Sequence, residues 1–174
     1  MLRDLLEYAR IGQEKDDASP LDLRELLNQI LDEKRQEMEA VQAEVIVSDA
    51  LPPLRMSETR AYQVFMNLLT NSLKFRREGV APRIEIGVAE EADKNSSHRV
   101  FFFRDNGKGI GDRDIGKVFN LFTSFGGFDQ GGTGAGLAIV KRIVDLRGGT
   151  IRVESRTEEG TTFIFSLPVA HPLD

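Results

Sequence analysis

Val100-Phe101-Phe102-Phe103-Arg104-Asp105-Asn106-Gly107-Lys108-Gly109-Ile110-Gly111 sets an aromatic run directly against a carboxylate and three glycines. Arg99 to Arg104 reads as a strand, because aromatic and β-branched side chains suit the half-buried surface of a sheet. Asp105 then stands at the strand's end, where Asp-Asn-Gly is a turn composition. Outward from this stretch, Arg83 to Ala89 reads as a second strand joined to it as a hairpin across the polar loop Glu90 to His98. Glu44 to Ser48 alternates like a strand, and Leu51-Pro52-Pro53 turns the chain. Ile151 to Glu154 and Thr161 to Leu167 make a closing hairpin around Thr157 to Gly160.

Helical spacing fills the remaining segments. Ser19-Pro20-Leu21-Asp22 offers an N-cap, a proline at the first position and an early acid, so a helix is expected from Pro20. Its stripe is Leu23, Leu26, Leu27, Ile30 and Leu31, and the pattern decays across Asp32 to Glu37. Ser57 is expected to cap a second helix carrying Tyr62, Phe65, Met66, Leu68 and Leu69 and ending near Gly79. A third follows Leu137, Ile139, Val140, Ile143, Val144 and Leu146 and stops at Gly148-Gly149. Leu2, Leu5, Leu6 and Ala9 have helical spacing without a preceding cap, and Gly12 to Ala18 reads as a linker. The expected architecture is α/β (α+β): a two-layer sandwich in which about three helices cover one face of a mixed, roughly five-stranded sheet.

Composition narrows the function. With 174 residues, 40% hydrophobic and 29% charged, the chain suits one globular domain. A formal net charge of -5 provides no general attraction to nucleic acid or anionic lipid, so neither is an expected partner. No cysteine is present, which excludes disulfides and thiolate chemistry and is compatible with a reducing cytoplasm. Apolar runs fall far short of the roughly 20 residues of a membrane helix, and Met1 to Arg10 does not read as a signal peptide, so a soluble chain is expected.

Three features carry chemistry. An ionised Asp105 is an acceptor only; it suits the exocyclic amine of adenine and repels the carbonyl that guanine presents there, although Asp-Asn-Gly is also an ordinary turn. Gly131-Gly132-Thr133-Gly134-Ala135-Gly136-Leu137 leads into a helix whose free N–H groups and dipole suit an anion such as triphosphate. It is neither a P-loop nor a dinucleotide fingerprint. Asn67 and Asn71, four apart, and Lys74, three further on, fall on one helical face. Their amide oxygens are hard ligands able to complete a Mg²⁺ shell, and the ammonium offsets phosphate charge; a solvated polar stripe is the alternative.

In combination and order, these segments resemble the ATP-binding catalytic domain of sensor histidine kinases, in the superfamily with the Bergerat-type fold. Phe65 to Phe75 resembles the N box, Asp105 to Gly111 the G1 box, Phe119-Asn120-Leu121-Phe122 the F box and Gly132 to Leu137 the G2 box. The resemblance runs from about Pro20 to Pro168. It implies that Asp105 binds adenine, that Asn71 ligates Mg²⁺ with Asn67 nearby, that Lys74 contacts phosphate and that Phe75 lines the base pocket. Gly107, Gly109, Ile110, Gly132, Thr133, Gly134, Gly136 and Leu137 would shape the nucleotide walls. Asp112 to Gly131 would be a mobile lid in which Phe119 and Phe122 pack on the body when ATP is held; both phenylalanines also suit an ordinary core.

The resemblance also implies an organisation: 1–12 as the end of a histidine-bearing dimerisation hairpin, 13–19 a linker, 20–170 the ATP-binding domain and 171–174 a tail. Neither His98 nor His171 resembles a phosphoacceptor, so the implied partners are ATP, a hairpin domain carrying the histidine and a downstream response-regulator receiver domain. The stretch given is expected to be monomeric and its parent a homodimer, soluble or membrane-anchored through upstream segments. After the F box, Thr123-Ser124-Phe125-Gly126 continues without a cation before Lys141, which many family members have. Gyrase-like, heat-shock and mismatch-repair ATPases place a water-activating Glu where this chain has Asn67, and an amide cannot take that proton. A nucleotide-binding regulatory module is the third reading.

Overall fold

The computed structural model describes residues 2–12, 19–89, 97–123 and 134–170. In chain order these form α1 (Leu2–Arg10), α2 (Leu23–Glu33), α3 (Arg35–Ala40), β1 (Glu44–Val47), α4 (Glu58–Lys74), β2 (Arg83–Val88), β3 (His98–Asp105), α5 (Asp112–Ile115), α6 (Gly136–Leu146), β4 (Ile151–Arg156) and β5 (Gly160–Pro168). The strands make one five-stranded sheet in the order β1-β2-β3-β5-β4. β1 pairs with β2 in parallel, and the other pairs are antiparallel, which makes the sheet mixed as expected.

Alternation gives the sheet one wet and one dry face. Ile84 and Ile86 of β2, Phe101 and Phe103 of β3, and Phe163, Phe165 and Leu167 of β5 are buried under the helices. Arg104, Arg152 and Glu154, one step out of phase, are exposed. Register brings Phe101 opposite Phe165 and Phe103 opposite Phe163. Phe65 of α4 meets the Phe165 ring edge-on, with centroids 5.9 Å apart, and so joins the helical layer to the sheet. α2, α4 and α6 supply the covering layer through Leu23, Leu27, Ile30, Val64, Leu68, Val140 and Val144. Burying each such side chain stabilises the fold by about 1.5–3 kcal/mol.

Several boundaries differ from expectation. α2 begins at Leu23, not Pro20: Asp22 is the N-cap, its side chain accepting from the Arg24 and Glu25 N–H groups. Leu21 is instead drawn into a bridge with Leu54, exchanging backbone hydrogen bonds that a helix would forbid. Ser57 holds the N-cap position of α4, yet its hydroxyl makes no capping bond. α4 ends at Lys74, five residues before Gly79, because Phe75 leaves helical geometry and its carbonyl is taken by the Lys108 N–H. The polar stretch after α2 forms a short helix of its own, α3. α1 packs on α6, with the Arg142 guanidinium 4.7 Å from the Tyr8 ring centroid and Ile11 buried.

Candidate nucleotide-binding site

β3 lies in the middle of the sheet and delivers Asp105 to its end, beneath the C-terminal half of α4. Asp105 Oδ2 accepts a hydrogen bond from Ser72 Oγ at 2.8 Å, and Oδ1 accepts one from the Gly107 N–H at 2.8 Å. Burial pushes this carboxyl above its ordinary value, while the bonds from Gly107, Ser72 and the Thr161 backbone hold it down.

The turn after Asp105 is fastened on both sides. Lys108 N–H donates to Phe75 O, Ile110 N–H to Ser155 Oγ at 2.8 Å, and Glu158 N–H to Lys108 O. Gly109 adopts φ +70°, and a Cβ there would sit 1.9 Å from the Arg156 carbonyl oxygen, so only glycine fits.

These constraints enclose a cavity of about 60 Å³ lined by Asn71, Phe75, Asp105, Gly109, Ile110, Val118, Leu137, Thr161 and Phe163. Apolar walls with one buried carboxylate suit a flat heterocycle that presents a donor. Six of the residues expected at the site therefore meet around one space: Asn71, Phe75, Asp105, Gly109, Ile110 and Leu137. Gly107 stands beside it, where a Cβ would lie 2.8 Å from Phe75 O.

The remaining candidates are spread around this core. Asn67 lies one turn back along α4, its amide nitrogen donating to Gln63 O at 2.7 Å. Its Oδ1 faces the start of α6, 2.7 Å from where a Cβ on Gly136 would be, so glycine allows that close approach. Ala135 caps α6 without a side-chain hydrogen bond, which leaves the first N–H groups available to an anion. Gly134 O accepts from Phe122 N–H at 3.1 Å, tying the F-box turn to the G2 segment. Gly132 and Thr133 lie outside the described residues. Phe119 packs edge-on against Phe163, with centroids 6.3 Å apart, whereas Phe122 is 41% exposed at φ 62°.

Lys74 does not line the Asp105 cavity. Its Nζ lies 4.9 Å from the Phe75 ring centroid, and it borders a wider, open depression with Thr70, Arg76, Arg77 and Lys108 instead of the Asp105 cavity. α4 stops at this residue, which still lies on the helical face of Asn67 and Asn71.

Sequence reasoning missed Ser72, Ser155, Thr161, Val118 and Phe163. A serine inside the apolar stripe of a helix was the available signal for Ser72, since a buried hydroxyl requires a partner. Thr161 and Ser155 had none, because their roles depend on the β4–β5 hairpin folding back on the Asp105 turn.

Residues 56–171 match the family described as histidine kinase-, DNA gyrase B-, and HSP90-like ATPase. The chain belongs to this family. Among curated relatives of this ATPase domain, the methanogenesis regulatory histidine kinase FilI of Methanothrix harundinacea (strain 6Ac) is 33% identical over 97% of the chain. Cyanobacterial phytochrome A of Nostoc sp. (strain PCC 7120) is 35% identical, again over 97%. The chain spans only 18% and 21% of those two relatives' lengths. Full-length ShkA, solved in complex with AMPPNP, superposes with a TM-score of 0.79 at 26% identity, over 97% of this chain and 35% of that one. The nucleotide-free catalytic domain of histidine kinase ThkA shares the fold, with a TM-score of 0.70 at 23% identity over 87% of this chain and 97% of that domain. The domain thus has the mixed α/β fold that these histidine kinases share.

Magnesium fits the donor set in one particular way. Among the described residues, no group of three or more His, Cys, Asp or Glu side chains is placed to hold a metal ion. Asn71 on the cavity wall and Asn67 beside it are hard neutral donors, which suit a cation taking most of its shell from phosphate and water. Among the described residues, no helix is long and apolar enough to cross a membrane.

Proposed function

We propose that the chain binds ATP·Mg²⁺ and presents the γ-phosphoryl group to a histidine on a separate helical hairpin, as the catalytic domain of a sensor histidine kinase. The observation that carries this reading is the Asp105 carboxylate, held as an acceptor at the base of an apolar cavity that opens beside the α4 amides and the uncapped start of α6. Asp105 takes the adenine amine, Phe75, Ile110 and Leu137 enclose the ring, and Gly107, Gly109 and Gly136 let backbone approach. Asn71, supported by Asn67, holds the cation, whose charge offsets that of the phosphate oxygens when bound. Lys74 reaches the phosphates from the α4 terminus, Gly132, Thr133 and Gly134 belong to the nucleotide walls, and Phe119 and Phe122 anchor the lid. Asn67 offers no proton acceptor for water, which favours transfer over hydrolysis.

On this reading, 1–12 are the end of the dimerisation hairpin, 13–19 a linker, 20–170 the ATP-binding domain and 171–174 a tail. The chain works in the cytoplasm, where ATP is, with a receiver domain accepting the phosphoryl group downstream. Calorimetric titration with a nonhydrolysable ATP analogue, with and without Mg²⁺ and beside GTP, tests it first. Adenine-selective, magnesium-assisted binding, followed by transfer to a hairpin supplied in trans, is the expected result; saturating nucleotide with no heat and no competition ends the proposal.

A further inference from the structure

Ser72 is one of the few polar residues buried in the core, 3% exposed on the sheet-facing side of α4. Its hydroxyl is aimed at the one carboxylate in the cavity, 2.8 Å from Asp105 Oδ2. We infer that Ser72 is a positioning residue for base selection: it donates to Asp105 and thereby keeps the cavity's carboxylate an acceptor facing the nucleobase. This rests on the proposed adenine site and adds a residue that sets its selectivity.

The argument follows from donor and acceptor inventory. A carboxylate buried in an apolar cavity is drawn toward its neutral form, and a neutral carboxyl carries an O–H that opposes the N–H of an exocyclic amine. Three donors resist this: the Gly107 N–H on Oδ1, the Ser72 hydroxyl on Oδ2 and the Thr161 backbone N–H. The Gly107 donor belongs to the turn itself and moves with Asp105. Ser72 belongs to α4, packed independently by Phe65, Leu68, Leu69 and Leu73, so it references the carboxylate to the helix that also carries Asn71. Each oxygen keeps lone-pair capacity for the base. Removing only the Ser72 oxygen leaves the Cβ and its packing, so the expected loss concerns polarity and not shape.

The test compares ATP with purine riboside triphosphate, which lacks the exocyclic amine, on the chain as it stands, on Ser72→Ala and on Ser72→Thr, all with Mg²⁺. Unaltered protein prefers ATP. Ser72→Ala is expected to lower ATP affinity roughly tenfold, the scale of one hydrogen bond to a charged group, while purine riboside triphosphate binds as before. Ser72→Thr, which keeps the hydroxyl, retains part or all of the preference. Unchanged binding of the amine-free nucleotide is also the check that Ser72→Ala folds. An equal loss for both nucleotides reduces Ser72 to a structural role and overturns the inference, as does no loss for either. If the unaltered chain shows no ATP preference at all, the adenine site itself fails, and the inference fails with it.

Discussion

Around Asp105, polar atoms meet partners within the chain: Ser72 and Gly107 hold the carboxylate, and Ser155 receives the Ile110 N–H while bonding to Gly160 O and Thr161 Oγ1. Around the start of α6 the chain does much less for itself. Among the described residues no side chain caps the helix, Gly136 presents bare backbone to Asn67, and Phe122 stands 41% exposed. On the proposed reading, the base end is held by the chain's own hydrogen bonds, and the phosphate end, among the described residues, leaves its groups for the ligand to satisfy. Selectivity on this plan resides in a rigid pocket, and the reactive end remains open to a second domain.

The largest effect should come from the base end. In Asp105→Asn the Gly107 N–H keeps the amide oxygen on its side and Ser72 can turn to accept from the NH₂ group, but an N–H donor then stands where the cavity offered the adenine amine an acceptor. ATP affinity is expected to fall by about a hundredfold or more, roughly 2.7 kcal/mol, with GTP little changed, as read by calorimetry. Acidity probes the same group with opposite signs. Because burial raises the Asp105 carboxyl above its unfolded value, its contribution to folding stability is present in acid and lost as pH rises through the raised value. Recognition of the amine needs the ionised form, so ATP affinity should climb across that same window. Thermal unfolding and titration from the ordinary carboxylate value upward should show both trends, and Asp105→Asn should flatten both. An Asp105→Asn variant that keeps the trends would assign them to other carboxylates.

Next comes Phe119. Half-buried and packed on Phe163, it belongs to the body of the domain already in the free protein. Phe119→Ala should lower unfolding stability by about 2 kcal/mol without ligand, measured by denaturant titration. Asn71→Ala should act instead on the cation: a loss of about tenfold in ATP affinity with Mg²⁺ and little change without it, consistent with one lost ligand. If the loss were equal in both conditions, Asn71 would be a wall residue and not a metal ligand.

The same contrast separates what the sequence shows from what it hides. The sheet was legible because Phe101, Phe103, Phe163 and Phe165 repeat with period two, and the α4 and α6 stripes because their apolar residues repeat with helical spacing. Asp105, Asn71 and the glycines were legible because their chemistry is carried by residue type and order. Contacts between distant segments were hidden: Ser72 with Asp105, Ser155 with Ile110, and the Leu21–Leu54 bridge that removes Pro20 from α2. Lys74 closes α4, and that its side chain borders the open depression and not the Asp105 cavity is a placement that helical spacing alone does not give.

Phe122 yields the smallest effect in the free protein and the most informative one in the bound state. Its side chain is substantially exposed and its φ of 62° is costly for a residue other than glycine, while its N–H is fixed to Gly134 O. Strain at an exposed aromatic is what an anchor awaiting a partner surface would show. Phe122→Ala should therefore change unliganded stability by no more than about 0.5 kcal/mol. With ATP analogue and Mg²⁺ at saturation, the same variant should dissociate nucleotide several-fold faster, measured by stopped-flow displacement, because the lid would have lost its hold. Equal dissociation rates would place Phe122 outside the lid mechanism and leave Phe119 as the aromatic that serves the site.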